Sequence, residues 1–415
     1  MAATTSNATE LVRVTSLLPK LPRCVKSNLT EAAIRYLRYN AAALTCDLDK
    51  IVVTGTSGGG ALSTVIAASG NSEDYFESLY EIGAAGVTKA ADGTYASTID
   101  DDVFSVIAYC PITDLGHADQ AYEWMYGDTR KAYAADGLSL EEINPNPGGM
   151  GAPTNTDQVF GEAVLAASKE LAADYVTYFD ALGLTDENGK ALKASDGSFK
   201  AAIEGLLEAS IEKELTTEYP SSDAAPADGA YTWLTIADGK ADIDMPGYLY
   251  WIGTKMSGLK TAPAFSNRGT ANAHPILNED NIFGSKAVAY SNFEFWSWNN
   301  NNIPGDGIGK DDTGLTFDEY LKTADGAYLL KQIRMTNAIE YLNDDAAAID
   351  IAPYWYVRHG MGDRDTAFPV AATMYYSLLA NDAVEEVSFN YAWLKGHAGN
   401  YDVQEAYDWL DSVVK

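Results

Sequence analysis

The chain contains few of the residues on which several classes of protein depend. Its 415 residues include three cysteines and four histidines. Three cysteines, Cys24, Cys46 and Cys110, are too few for a disulfide framework, and four histidines leave little room for a histidine-rich metal centre. No apolar run approaches the ~20 residues of a membrane-spanning helix. The composition therefore favours a globular protein without a disulfide scaffold, and Cys110, which closes an apolar strand, is expected to be a buried thiol.

Positive charge is also scarce. Lys and Arg number 28 against 59 Asp and Glu, for a net charge of −31 at pH 7. Such a surface repels nucleic acid and anionic membranes, so neither is expected as a partner. The sequence shows no Walker loop, dinucleotide fingerprint or Cys/His zinc pattern, and no cofactor is predicted. It also shows no apolar segment long enough for a secretory signal, which favours a cytoplasmic location.

One glycine-rich stretch carries the strongest chemical signal. The β-branched run Ile51–Val53 predicts a buried strand, Gly55-Thr-Ser-Gly-Gly59 matches the G-x-S-x-G nucleophile elbow, and Ala61–Ala68 predicts a helix. A side chain at either flanking glycine is expected to collide with the strand or the helix. Ser57 is then an exposed nucleophile, and the Gly58 amide is an oxyanion donor. The alternative is a glycine-rich turn that only packs backbone against backbone.

A serine nucleophile needs a base and an acid that orients it, in the chain order Ser, Asp or Glu, His. His397 follows the last predicted strand and is the expected base. Asp363 and Asp365 both follow the penultimate strand, and Asp363 is preferred because two glycines before it allow a tight turn. Asp365 remains open as a helix N-cap or a substrate ligand. His359 ends a strand and is expected to order the turn beneath it.

Strands and helices alternate at both ends of the chain but not in its middle. This pattern predicts an α/β-hydrolase fold with a large, mainly helical inserted lid domain. The predicted parts are an atypical basic segment, the first part of the hydrolase core, the lid, and the second part of the core, at residues 1–28, 29–114, 115–345 and 346–415.

Within the predicted lid, helical patterns and one hairpin stand out. The hairpin turns at Ala237-Asp-Gly-Lys240. Helices are predicted over residues 158–182, 199–215, 246–256 and 317–342. A polar loop holds Asp306, Asp311 and Asp312, which can bind calcium in principle, but their spacing fits no EF-hand and no metal site is predicted.

Several unusual strings together resemble the bacterial tannase family, α/β-hydrolases that cleave galloyl esters. They run in order from about residue 29 to the carboxyl end: Ala33-Ile-Arg-Tyr-Leu-Arg-Tyr-Asn40, the elbow, Tyr109-Cys-Pro-Ile-Thr-Asp114 with His117-Ala-Asp-Gln-Ala-Tyr-Glu-Trp124, Arg358-His-Gly-Met-Gly-Asp-Arg-Asp365, and Gly396-His397. The resemblance implies a triad of Ser57, Asp363 and His397, in agreement with the residue patterns. It also implies a small phenolic ester as substrate.

The resemblance further implies a set of side chains that binds the galloyl hydroxyls. By motif, Asp365 matches an aspartate beside the catalytic one, and Lys260 and Glu279 are the best matches to a lysine and a glutamate of the lid. Carboxylates accept hydrogen bonds from phenols, and an ammonium stabilises a partly ionised phenol. The alternative is that Lys260 and Glu279 are solvated charges of the lid.

The amino terminus departs from this pattern. Only 56 residues precede Ser57, whereas four strands with their connections need roughly 60 to 100. We therefore expect either a truncated hydrolase, without the first strands of the sheet and the second oxyanion donor, or a wrongly assigned start that adds 28 unrelated residues. The strand at 51–54 is then an apolar edge.

Two alternatives to a galloyl esterase remain open: a feruloyl or general carboxylesterase, and an impaired hydrolase that only binds phenolics. The sequence does not indicate an oligomeric state.

Overall fold

The computed structural model describes residues 25–147, 152–270, 272, 279–284, 288, 290–344 and 348–414. Most of the predicted basic segment, residues 1–24 with Cys24, lies outside the described residues, as does the predicted lid boundary at 345. Residues 25–28 belong to the first helix, which begins at Val25. Among the residues described, no helix combines the length and the apolarity that crossing a bilayer requires.

Within these residues, eight strands form one main sheet and two hairpins. They are β1 Val52–Thr56, β2 Val87–Lys89, β3 Tyr95–Ser97, β4 Ser105–Tyr109, β5 Leu234–Ala237, β6 Lys240–Ile243, β7 Tyr354–Gly360 and β8 Glu386–Ala392. The main sheet has the order β1-β4-β7-β8, and all three pairings are parallel. Among the described residues, β1 therefore has a hydrogen-bonded neighbour on one side only, and its burial is only partial.

Helices make up most of the remaining structure. The α-helices are Val25–Tyr39, Gly58–Ala68, Phe76–Glu81, Leu115–Asp136, Leu140–Ile143, Asp157–Phe160, Glu162–Leu182, Ser198–Glu214, Met245–Trp251, Phe295–Asn299, Lys310–Thr313, Phe317–Tyr320, Ala324–Arg334, Ala338–Leu342, Phe368–Ala380 and Val403–Val413. Short 3-10 helices span Ala41–Ala43, Glu73–Tyr75 and Glu279–Asn281, and a π-helix spans Ile252–Met256.

The two faces of the main sheet bury different partners, as the period of two along a strand requires. Val106 and Trp355 lie in a core with helices that include Gly58–Ala68. Ile107 and Tyr356 point to the opposite face and pack against the last helix. The sheet is thus covered on both sides, which is the usual environment of parallel strands.

The segment between β4 and β7 packs continuously onto the rest of the molecule. Its largest hydrophobic cluster joins residues such as Leu115 and Ile333 to Phe368 and Trp393, which follow β7 in the chain. The 22-residue helix Leu115–Asp136 packs along the helix Glu162–Leu182, and these are the two longest helices of the segment. The division into a hydrolase core and a lid stays a prediction.

One prediction for this segment needs correction, and one helix was missed. No helix was predicted at residues 115–136, which form the longest of the described helices. Conversely, residues 317–342 do not form one helix but three. The second and third begin where Thr323 and Asn337 accept hydrogen bonds from the backbone amides of Gly326 and Ile339, and such caps start new helices.

The three carboxylates of the polar loop do lie together. Asp306, Asp311 and Asp312 each bring an oxygen within 4.8 Å of the others. Both oxygens of Asp312 accept from backbone amides, those of Gly305 and Gly307, at 2.8 Å each. These hydrogen bonds order the loop, and we do not propose a metal site there.

Candidate active site

Ser57 lies at the sharp turn between β1 and the helix Gly58–Ala68. Its backbone has φ 61° and ψ −125°, a region that a serine rarely adopts. Hydrogen bonds hold this conformation: the Ser57 amide donates to the carbonyl of Tyr109 at 2.9 Å, and the Ser57 carbonyl accepts from Ala61 at 2.9 Å. The surrounding structure therefore compensates the strain at this serine, as it does at many active sites.

The glycines around Ser57 have different roles. A Cβ at Gly55 would overlap the carbonyl of Gly59, so the expected collision holds at this position. A Cβ at Gly59 would meet nothing within 4 Å, so the prediction is wrong there. The close approach on the helix side occurs one residue later, because a Cβ at Gly60 would lie 2.8 Å from the carbonyl oxygen of Tyr109.

Three predicted side chains meet at this turn in one chain of hydrogen bonds. His397 Nε2 lies 2.7 Å from Ser57 Oγ, and His397 Nδ1 lies 2.8 Å from Asp363 Oδ2. Asp363 is fully buried, whereas Ser57 and His397 are partly accessible. The residues come from the carboxyl ends of β1, β7 and β8, which the parallel sheet brings to one edge.

The turn after β7 orients the carboxylate of Asp363. The Asp363 amide donates to Gly360 at 3.0 Å. Its Oδ1 accepts from the amides of Asp365 at 2.7 Å and Thr366 at 3.4 Å, which leaves Oδ2 for His397. His359 Nε2 lies 3.7 Å from the same Oδ2, so His359 borders this turn, and its role in ordering the turn stays a prediction.

The loop after β8 that carries His397 lies directly against this turn. A Cβ at Gly360 would overlap the carbonyl oxygens of Lys395 and Gly396. The Gly362 amide donates to the Lys395 carbonyl at 2.7 Å. The glycines before Asp363 therefore serve the close approach of two backbones.

Burial and neighbouring charges shift the pKa values of Asp363 and His397 in opposite directions. Burial alone would raise the pKa of Asp363, but His359 and the hydrogen bond from His397 lower it to about 2. Burial would lower the pKa of His397, but its hydrogen bond to Asp363 and that negative charge outweigh burial and raise it. Asp363 is therefore ionised at neutral pH, as an acid that orients an imidazole must be.

Two members of the predicted galloyl-binding set lie beside this triad. Lys260 Nζ lies 3.5 Å from the backbone carbonyl of Asp365 and 3.9 Å from its carboxylate. The same ammonium lies 4.1 Å from the ring centre of Phe265. The helix after the turn begins at Phe368 with Ala367 as its N-cap, so Asp365 does not cap it.

The loop that carries Lys260 is fixed by its backbone. Tyr122 and Arg130, both on the helix Leu115–Asp136, hydrogen-bond the amide and carbonyl of Lys260 at 3.1 and 2.6 Å. Farther along, the buried carboxylate of Asp119 accepts from three consecutive amides, those of residues 264–266, at 2.5, 2.8 and 2.8 Å. The unpredicted helix is thus what positions Lys260.

Glu279, the third member of the predicted galloyl-binding set, starts the 3-10 helix Glu279–Asn281 and is half-buried. It directly follows residues 273–278, which are outside the described part of the chain. Its neighbour Asp280 accepts a hydrogen bond from Ser266 at 3.2 Å, and Ser266 is six residues beyond Lys260 in the chain. The role of Glu279 stays a prediction.

Two side chains near the triad were not predicted as part of the site. Cys110 is fully buried, as expected, but its sulfur also lies within 4.8 Å of ligand atoms of Asp363 and His397. Tyr401 Oη lies 3.0 Å from that sulfur. One signal for Cys110 was available, because it follows β4, and neighbouring parallel strands end at the same edge as Ser57.

Comparison with known proteins places this geometry in context. The BD-FAE family model, a hydrolase domain, matches residues 20–139. The tannin acyl hydrolase of Lactobacillus plantarum is 26% identical with a TM-score of 0.69, and the match covers 94% of this chain and 71% of that one. The chain resembles the bacterial tannases. Fusobacterium nucleatum tannase is 29% identical with a TM-score of 0.67, with 94% and 73% of the two chains covered.

Ligand complexes of such enzymes also match. A tannin acyl hydrolase in complex with ethyl gallate is 26% identical with a TM-score of 0.68, covering 94% of this chain and 71% of that one. No curated protein sequence matches the chain. The likeness to tannases, together with the parallel sheet, fits an α/β-hydrolase fold and supports an ester-hydrolase function.

Proposed function

We propose that the chain is a serine esterase that hydrolyses galloyl esters to gallic acid and an alcohol. The observation that carries this proposal is the hydrogen-bond chain from Ser57 through His397 to Asp363, with distances of 2.7 and 2.8 Å. The strained backbone of Ser57 and the likeness to tannases support it. The proposal explains why a buried, ionised aspartate lies behind a partly exposed imidazole.

The reaction proceeds through an acyl-enzyme. Ser57 Oγ attacks the ester carbonyl while His397 Nε2 takes the serine proton, and Asp363 holds the imidazole in the tautomer that can do so. The tetrahedral intermediate collapses, and the imidazolium of His397 protonates the departing alcohol. Water then attacks the galloyl-serine by the same steps and releases gallic acid.

The amide of Gly58 is the proposed oxyanion donor. It is the first amide after the nucleophile and stands at the amino end of an 11-residue helix. The partial positive charge of a helix amino end stabilises an oxyanion there. Gly58 is exposed, and a Cβ on it would meet nothing within 4 Å, so space is open in front of the turn.

Lys260, Asp365 and Glu279 are the proposed readers of the galloyl hydroxyls. The pairing of an ammonium with a carboxylate 3.9 Å away supports the first two. A carboxylate accepts a phenolic hydrogen bond and an ammonium favours the more acidic phenol, whereas a benzoate without hydroxyls gains neither contact. Discrimination between ester substrates therefore resides in these side chains and not in the triad.

Parallel assays on methyl gallate and methyl ferulate test this assignment. The proposal predicts a higher kcat/KM for methyl gallate than for methyl ferulate. Lys260→Met and Asp365→Asn should each lower that preference by about tenfold, because each removes one charge-assisted hydrogen bond to the galloyl group. Lys255→Met is the matched control, since Lys255 is exposed and lies five residues earlier. A preference for ferulate would overturn the roles of these residues. Phenolic binding without turnover would favour the impaired hydrolase.

A further inference from the structure

The hydroxyl of Tyr401 hydrogen-bonds two backbone groups of the loop that carries His397, and it also contacts the residue that follows β4. It donates to the carbonyl of Gly396 at 2.8 Å and accepts from the amide of Ala398 at 3.1 Å, the residues on either side of His397. It also lies 3.0 Å from the sulfur of Cys110. One phenol therefore holds the backbone on both sides of the proposed base.

The thiol of Cys110 extends this contact to the turn of the acid. Its sulfur accepts from the amide of Gly360 at 3.4 Å, where the turn that leads to Asp363 begins. The thiol is fully buried. A consistent set of donors exists: Tyr401 donates to Gly396, and the thiol has the Tyr401 oxygen and the Asp363 carboxylate as acceptors, so each proton has an acceptor.

We propose that Tyr401 and Cys110 are a positioning pair that holds the histidine loop and the acid turn in register, so that His397 reaches Ser57 and Asp363 together. The two loops follow different strands, and the pair joins them beside the end of β4. The inference rests on the proposed function, because it assigns the pair to the triad of that function. The tilt of the Tyr109 ring at 82° against Tyr401, with centres 5.7 Å apart, helps to fix the phenol.

The first test removes the hydroxyl with Tyr401→Phe. Tyr407→Phe is the matched control, because Tyr407 lies on the helix that follows and is 50% exposed. The probe is a fluorophosphonate, which needs an activated serine but no phenolic group: Ser57 Oγ bonds to phosphorus, fluoride leaves, and the serine proton passes to His397. We expect Tyr401→Phe to slow labelling about ten- to a hundredfold, as small misplacements of catalytic groups do, and Tyr407→Phe to leave it unchanged.

The second test varies the thiol. Cys110→Ala removes the donor and should slow labelling about tenfold, while Cys110→Ser keeps a donor and should restore most of the rate. Cys46→Ser is the control at an exposed cysteine. With methyl gallate, the loss should appear in kcat with KM nearly unchanged, because the pair does not contact substrate. Thermal unfolding of each variant reports its folding.

The outcomes separate this inference from the proposed function. Slower labelling of folded Tyr401→Phe and Cys110→Ala, with rescue by Cys110→Ser, supports the positioning pair even if methyl gallate is not a substrate. Labelling of both variants at the wild-type rate overturns it, even if methyl gallate is hydrolysed. Equal slowing by Cys110→Ser and Cys110→Ala also overturns it, since packing alone would then matter. A wild-type chain that the probe does not label overturns both proposals.

Discussion

The Lys260 ammonium lies 3.9 Å from the Asp365 carboxylate, and the two charges act on His397 with opposite sign. Asp365 raises the pKa of His397, and Lys260 lowers it. Because the imidazole must be neutral to accept the serine proton, its pKa sets the acid limb of the pH–rate profile. That limb should lie above the ordinary histidine value of 6.5.

Opposite shifts of this limb are the first prediction. Asp365→Asn removes a negative charge that raises the pKa of His397, so the acid limb of the kcat/KM profile should move to lower pH. Lys260→Met removes a positive charge that lowers the pKa of His397, so the acid limb should move to higher pH. Both shifts should shrink in high salt, because the two side chains are 33% and 16% exposed. Shifts in the same direction would contradict the proximity of these charges to His397.

The second prediction compares neighbouring glycines of the elbow. Gly60→Ala should lower the free energy of unfolding by about 1–3 kcal/mol, because the new Cβ would press on the carbonyl of Tyr109 at 2.8 Å. Gly59→Ala should be neutral or stabilise by up to ~1 kcal/mol, because its site is open and alanine favours helix. Urea unfolding of both variants measures the difference. Equal destabilisation would contradict the assignment of the close approach to Gly60.

The third prediction concerns the loop behind Lys260. Asp119→Ala should lower the free energy of unfolding by about 1–3 kcal/mol, since three buried amides lose their acceptor. It should raise the KM for methyl gallate more than it lowers the rate of fluorophosphonate labelling, because the loop carries Lys260 and not the triad. Asp128→Ala, with its side chain 88% exposed on the same helix, is the control. A loss confined to labelling would show that the loop supports the triad instead.

The fourth prediction concerns a buried ion pair beneath the histidine loop. Arg358 Nε lies 2.7 Å from Asp402, with side chains 0% and 4% exposed. Asp402 also accepts from the hydroxyls of Tyr109 and Tyr356 at 3.0 and 2.6 Å. Asp402→Ala should therefore lower the free energy of unfolding by about 1–3 kcal/mol, because two buried tyrosine hydroxyls and the Arg358 guanidinium lose an acceptor, while Glu405 remains 3.3 Å from that guanidinium. The exposed Asp411 offers a control by Asp411→Ala, and equal unfolding curves would contradict the account.

The parts of the fold that local patterns dictate were predictable. The hairpin turn has Asp238 and Gly239 at φ 52° and 75°, the left-handed pair that an Asp-Gly turn between strands requires. The small hairpin of β2 and β3 was overlooked, although Asp92-Gly93 offers a similar turn signal. The breaks within 317–342 were also visible in principle, as the capping residues Thr323 and Asn337.

The helix Leu115–Asp136 could not be recognised by an apolar stripe, because charged side chains are buried on it among apolar ones such as Tyr122 and Tyr126. Asp119, Glu123 and Arg130 are all fully buried on it, and Arg130 pairs with Glu123 at 2.7 Å. Such a face looks like a solvated one in sequence. The positions of Ser57 and His397 were predictable because each follows a strand whose end the parallel sheet fixes. The contacts of Tyr401 depend on how two loops pack, which no local pattern encodes.

The most direct test of the central claim is release of gallic acid from methyl gallate by the 415-residue chain beside a Ser57→Ala variant. The account predicts turnover by the wild-type chain and a loss of at least about a thousandfold in the variant, because the nucleophile is removed. Turnover that survives Ser57→Ala, or a folded wild-type chain that releases no gallic acid, would contradict it.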